Sequence, residues 1–186
     1  PYSLVLNRSP KSLLGMPGAK EVVLELNSLS KSHNMAGWRI GLLAGREDYL
    51  QTVLRVKSNM DSGMFLPLQE AAVTALESGY QWHHERNQEY VRRRELIWEL
   101  LDTLGCKYER EQAGMFVWAR IPAFAESAEQ FSDLILDQAQ VFITPGFIFG
   151  TAGEGYIRAS LCMPIEVIVE ALKRIKALMA TGVKID

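Results

Sequence analysis

Lys31 stands in the stretch Leu26-Asn27-Ser28-Leu29-Ser30-Lys31-Ser32-His33-Asn34-Met35-Ala36-Gly37-Trp38-Arg39-Ile40-Gly41, just past an apolar run and among hydroxyls. Eight positions later, Arg39 lies between Gly37 and Gly41. A lysine amine that has lost its proton can form a Schiff base with a carbonyl. A nearby guanidinium lowers the cost of that loss. Serine hydroxyls and the flat donor fork of arginine suit phosphate oxygens. The combination therefore suits a covalent carbonyl cofactor that carries a phosphate. A lone lysine after a strand is ordinarily a solvated side chain; here the full spacing carries the reading beyond that.

A second candidate is Arg158, in the middle of Tyr156-Ile157-Arg158-Ala159-Ser160-Leu161. A guanidinium in an apolar strand is unfavourable unless it meets an anion or lies on an exposed edge. His33, inside the lysine loop, is open to a contact with the site or to a packing role. His83 and His84 are adjacent, so they point in different directions; a metal pair on a helix needs spacing of three or four, and both read as exposed. Arg92-Arg93-Arg94 splay around a helix with Glu89 and Glu95 nearby, which favours a solvated, ion-paired face over a phosphate or nucleic-acid site.

These residues need elements to position them. Glu21–Leu26 is a β-branched apolar run that reads as a buried strand delivering Ser28 and Lys31 to its C-terminal end. Before it, residues 3–20 read as an irregular connection with a helical turn near Leu13. Arg39–Ala44 is the next strand, with Gly37 and Gly41 permitting a tight backbone approach and Trp38 packing. Helices are expected over Arg46–Val56 and Pro67–Glu77, with a loop over 57–66 that, as a plain surface loop, would tuck Met64 and Phe65 into the core. The longest helix runs from Trp82 to Leu104 and closes at Gly105. A strand over Gly114–Ala119 follows. Ser127-Ala128-Glu129-Gln130 has the capping-box pattern and opens a helix to about Gln138. Val141–Ile143 reads as a short strand, Thr144–Gly146 as a turn and 150–155 as a glycine-rich turn. The Arg158 strand and a helix from Pro164 to about Met179 complete the chain. The class is α/β.

Composition bounds the function. The chain has 186 residues, 48% apolar and 23% charged, with a net charge of -2. That is ordinary for a globular protein and gives no sign of nucleic-acid or membrane binding. Cys106 and Cys162 lack metal-ligand spacing and read as reduced, buried side chains of a cytoplasmic protein. No metal site is expected.

The pattern Ser-x-Ser-Lys, with Gly-x-Arg ending eight residues after the lysine, resembles the pyridoxal-phosphate lysine motif of class I/II aminotransferases. These are fold-type-I enzymes of the aspartate aminotransferase kind. The Gly-Glu-Gly-Tyr-Ile-Arg turn and strand at 153–158, and the Thr-Pro-Gly of 144–146, resemble the same family. The resemblance covers nearly the whole chain. It implies that Lys31 is the catalytic Schiff-base lysine, that Ser28, Arg39 and, less firmly, Ser30 hold the cofactor phosphate, and that Arg158 grips the substrate α-carboxylate. Tyr2 fits the tyrosine that contacts the cofactor ring hydroxyl, or is simply a terminal aromatic. The partner aspartate of the ring nitrogen would lie before Pro1.

The implied fold is the C-terminal part of the pyridoxal-phosphate-dependent transferase fold type I. Residues 1–80 would complete a large cofactor-binding domain, and 81–186 would form a small α+β domain with its linking helix. The implied activity is amino-group transfer between an amino acid and a 2-oxo acid, by a homodimer. Such an enzyme is roughly twice this long, so the chain reads as a C-terminal half that is inactive alone. The resemblance places the loop over 57–66 beside the substrate, where aspartate-specific members carry an arginine; this loop has only Lys57 at its start, which argues against dicarboxylate specificity. Other fold-type-I reactions, such as a C–S β-lyase or a decarboxylase, share these residues. A non-catalytic binding module is the alternative of a different class.

Overall fold

The computed structural model describes residues 11–181. The chain divides after His84 into two compact units. Tyr2 lies outside the described residues.

In the first unit, short 3-10 turns at Leu13–Gly15 and Ala19–Glu21 lead into strand β1 (Glu25–Ser28). The Glu25 carboxylate accepts from the Ser12 hydroxyl at 2.6 Å and from the Leu13 amide at 3.0 Å, which pins this entry. The strand starts later than the expected Glu21. The amides of Val22 and Val23 both bond back to the Ala19 carbonyl, so the chain is still turning there. Nor is the strand buried: Leu26 is 79% exposed.

After β1 comes the single-turn helix α1 (Leu29–Ser32), and then strand β2 (Gly41–Ala44) returns antiparallel to β1, with Ser28 opposite Gly41. β2 is shorter than the expected Arg39–Ala44, because Arg39 is left-handed (φ 52°), a conformation no strand permits. Of the two flanking glycines only Gly41 makes the close approach: a Cβ there would lie 2.6 Å from the Asn27 carbonyl oxygen, whereas Gly37 has open space.

Helix α2 (Glu47–Met60) runs four residues past the expected Val56. Its lysine and aspartate at i and i+4, Lys57 and Asp61, pair at 2.6 Å across its end. The loop before α3 (Leu66–Leu76) shrinks accordingly, and Phe65 is 70% exposed rather than tucked into a core. Pro67 sits in the first turn of α3 as expected. A small apolar cluster of Leu29, Met35, Ile40 and Ala72 holds this unit.

Helix α4 (Tyr80–Thr103) begins in the first unit, and most of it belongs to the second. It stops at Gly105, whose φ of +72° closes the turn while the Cys106 amide bonds the Leu101 carbonyl at 3.0 Å. The second unit has a three-stranded antiparallel sheet ordered β3 (Phe116–Arg120), β5 (Tyr156–Ser160), β4 (Thr144–Pro145). Helices α5 (Ala128–Ala139) and α6 (Ile165–Ala180) complete it. The Ser127 hydroxyl caps α5 by accepting from the Gln130 amide, as the capping-box pattern requires. Leu101, Phe131, Ile135, Ile157 and Ile175 are among its fully buried side chains.

Several expectations in this unit need correction. The edge strand is Thr144–Pro145 rather than Val141–Ile143, because the Ile143 carbonyl is taken by the buried Ser132 hydroxyl. The expected turn at 144–146 becomes that strand, followed by a 3-10 turn at Gly146–Phe149. The arginine triplet is not a uniform solvated face. Arg92 is exposed, but Arg93 bonds Glu89 at 3.0 Å and the Leu161 carbonyl at 3.3 Å. Arg94 is buried, with its guanidinium 4.6 Å from the Trp98 ring centre. Cys106 is buried as expected, but Cys162 is exposed rather than buried.

Candidate active site

The β1–β2 hairpin gathers the lysine-loop candidates at one end. Ser28 ends β1 and caps α1: its hydroxyl accepts from the Ser30 amide at 3.2 Å. That hydroxyl keeps its own hydrogen for a further acceptor. Lys31 and Ser28 are exposed, and Ser30 is half-buried. The Leu29 amide bonds the Ile40 carbonyl at 3.1 Å, which carries the ladder one step past the strands and fixes where α1 starts.

Arg39 approaches from the other arm. Its Nη1 donates to the Ala36 carbonyl at 3.1 Å and makes a long contact of 3.5 Å to the Ser30 hydroxyl. Its Nη2 and Nε have no hydrogen-bond partner among the described residues. A left-handed arginine costs roughly 1–2 kcal/mol relative to a right-handed one, and such strain concentrates where a side chain must be aimed. Ser28, Ser30 and the exposed Lys31 thus lie along one turn, and the Arg39 guanidinium, with donors to spare, reaches Ser30 from the other arm. This donor set fits a phosphate monoester with a carbonyl nearby.

In the second unit, Arg158 lies on the central strand, flanked by Trp118 on β3 and Thr144 on β4. Its position rules out the exposed-edge reading. Neighbours Ile157 and Ala159 point into the core, so Arg158 projects from the opposite face. Its guanidinium carbon is 4.0 Å from the ring centres of both Phe116 and Phe149. Its Nε is buried and has no hydrogen-bond partner among the described residues. Rings against the guanidinium leave its N–H edge to a planar anion such as a carboxylate. The two phenylalanines were missed from sequence. Phe116 reads there as strand core, and Phe149 as part of an apolar run; only the pairing of β3 with β5 and the turn of 146–149 bring them to Arg158.

His83 is half-buried rather than exposed, and its ring meets those of His33 and Trp82. Among the described residues no cluster of histidine, cysteine and acidic side chains could hold a metal ion. No helix among them is long and apolar enough to cross a membrane.

A family model described as aminotransferase class I and II matches residues 6–175. The chain belongs to that family. It is 41% identical over 167 residues to the LL-diaminopimelate aminotransferase of Desulforudis audaxviator, a match covering 90% of this chain and 42% of that relative. Among solved structures, apo-BacF from Bacillus subtilis is 35% identical with a TM-score of 0.85, covering 95% of this chain and 48% of that one. A probable N-succinyldiaminopimelate aminotransferase from Thermus thermophilus is 32% identical with a TM-score of 0.84, covering 95% and 47%. The chain thus spans less than half the length of these proteins and shares the mixed α/β fold of the aminotransferase family.

Proposed function

We propose that this chain is the C-terminal half of a pyridoxal-phosphate-dependent aminotransferase that moves an amino group between an amino acid and a 2-oxo acid. Residues 1–80 would belong to the cofactor-binding domain and 81–186 to the small domain of a homodimeric, cytoplasmic enzyme. The observation that supports the reading is the contact of Arg39 with Ser30 beside Ser28 and Lys31, in a chain matched to the aminotransferase family. The names of the relatives support amino-group transfer and point to amino-acid substrates.

The cofactor, when bound, supplies an electron sink for the bonds at the substrate α-carbon. Everything else falls to side chains. The Ser28 and Ser30 hydroxyls and the Arg39 guanidinium hold the phosphate. Arg158 receives the substrate carboxylate on its free N–H edge and sets the orientation of the α-carbon. Lys31 Nζ, as the neutral amine, takes the proton from that α-carbon and holds it. The phenyl rings of Phe116 and Phe149 keep the Arg158 fork in one plane.

Adding pyridoxal phosphate, reducing with borohydride and mapping the modified peptide by mass spectrometry tests the reading. In the full-length protein we expect a stoichiometric adduct on Lys31 that is lost in Lys31→Ala. No adduct there would overturn the proposal. The chain of 186 residues alone is expected to show no transaminase activity; turnover by it would overturn its assignment as a half-enzyme.

A further inference from the structure

The helix that presents Lys31 has only four residues. A single turn is unfavourable on its own, because nucleation orders several residues for one hydrogen bond. That bond is the His33 amide to the Leu29 carbonyl at 3.0 Å. The turn must therefore be held from outside itself. The Ser28 cap and the Leu29–Ile40 bond hold its start. Its end is held by Ser32 and His33.

Ser32 is 7% exposed, and its hydroxyl oxygen is 3.0 Å from the Ser28 carbonyl oxygen and 2.8 Å from His33 Nδ1. A serine hydroxyl has one hydrogen to donate. The carbonyl can only accept, so the hydrogen goes to Ser28. The oxygen must then accept from His33, which requires a hydrogen on Nδ1. This is the less common form of a neutral imidazole in water. The ring is also gripped from the side. It lies parallel to Trp82 (9°, centres 5.8 Å apart), and His83 meets it edge-on at 5.0 Å. The imidazole is thus wedged between the lysine turn and the first turn of α4.

We propose that His33 is a positioning residue: as the Nδ1–H tautomer it donates to Ser32 and locks the turn that carries Lys31. Its effect on cofactor retention rests on the aminotransferase reading; the tautomer and the locking of the turn do not.

The test has two arms. On this chain, long-range proton–nitrogen NMR of the histidine rings at alkaline pH reads the tautomer directly. His33 should show a protonated Nδ1 and a bare Nε2. Finding the proton on Nε2 would overturn the proposal with no variant needed. Hydrogen exchange of the His33 amide then separates locking from mere packing. His33→Leu removes the donor and should speed exchange about tenfold, the loss of one hydrogen bond. His33→Asn, whose amide nitrogen can take the place of Nδ1, should stay within about twofold. Equal rates in both variants and the parent would overturn the locking role. In the full-length protein, His33→Leu should weaken pyridoxal-phosphate binding by about fivefold to tenfold, with His33→Asn restoring it. If the full-length protein takes no cofactor at Lys31 while the tautomer and exchange results hold, the aminotransferase reading fails and the positioning role stands.

Discussion

The two units are built on different terms. Among the described residues, the second encloses a core of 19 buried side chains, from Ile97 to Leu178, around a three-stranded sheet. The described residues of the first form a two-stranded sheet and a cluster of four: Leu29, Met35, Ile40 and Ala72. It leaves Val22, Leu26, Met60, Phe65 and Leu66 each more than 60% exposed. A two-stranded hairpin is marginal in water unless something covers it, and exposed large apolar side chains in number mark surfaces meant to be covered. The contrast teaches that Arg158 sits on a scaffold that can hold its shape alone. The lysine sits on one held by a few local bonds. On the proposed reading, the exposed side chains of the first unit are core positions of the longer protein.

The contrast can be broken most forcefully in the large core. Phe131 is fully buried beneath the sheet, and Phe131→Ala should cost about 3–5 kcal/mol. A urea titration followed through the tryptophan signal of the second unit would show it; a loss below about 1 kcal/mol would mean that this core is not close-packed. A smaller effect is expected at Gly41, where a Cβ would strike the Asn27 carbonyl at 2.6 Å, a backbone atom with no rotamer to escape through. Gly41→Ala should cost about 1–3 kcal/mol and raise amide exchange across β1, β2 and the lysine turn, but not in β5. Uniformly faster exchange would mean that the units do not open separately. The mildest probe is the pair of thiols. Burial pushes the Cys106 thiol up to about 12, so at pH near 8 it stays protonated as well as covered. Cys162 is exposed. A thiol-reactive disulfide should therefore label Cys162 quickly and Cys106 only after unfolding. Fast labelling of both would show the second core to be open.

Most helices were legible in the sequence because their signals are local. Pro67, the Ser127 capping box, Gly105 and Pro164 each mark a terminus by their own chemistry, and the observed ends lie within a residue or two. The strands were less so. Val22 to Leu24 carry strand-like side chains, yet the preceding turn captures two of their amides. Val141–Ile143 lost its pairing to a hydroxyl eleven residues away. Both outcomes depend on partners that no local pattern reveals. The candidate site followed the same division. Ser28, Lys31 and Arg39 could be picked out because they share one loop. The rings on Arg158 arise only once distant segments meet, and the left-handed turn at Arg39 leaves no mark in residue type.

The left-handed backbone at Arg39 sets a trap for anyone optimising this protein. Glycine would adopt that conformation without strain, so Arg39→Gly is a substitution that a search for thermal stability alone would reward. It would also delete the guanidinium that reaches Ser30. On the proposed reading, selection for robustness and selection for the chemistry pull this one position in opposite directions.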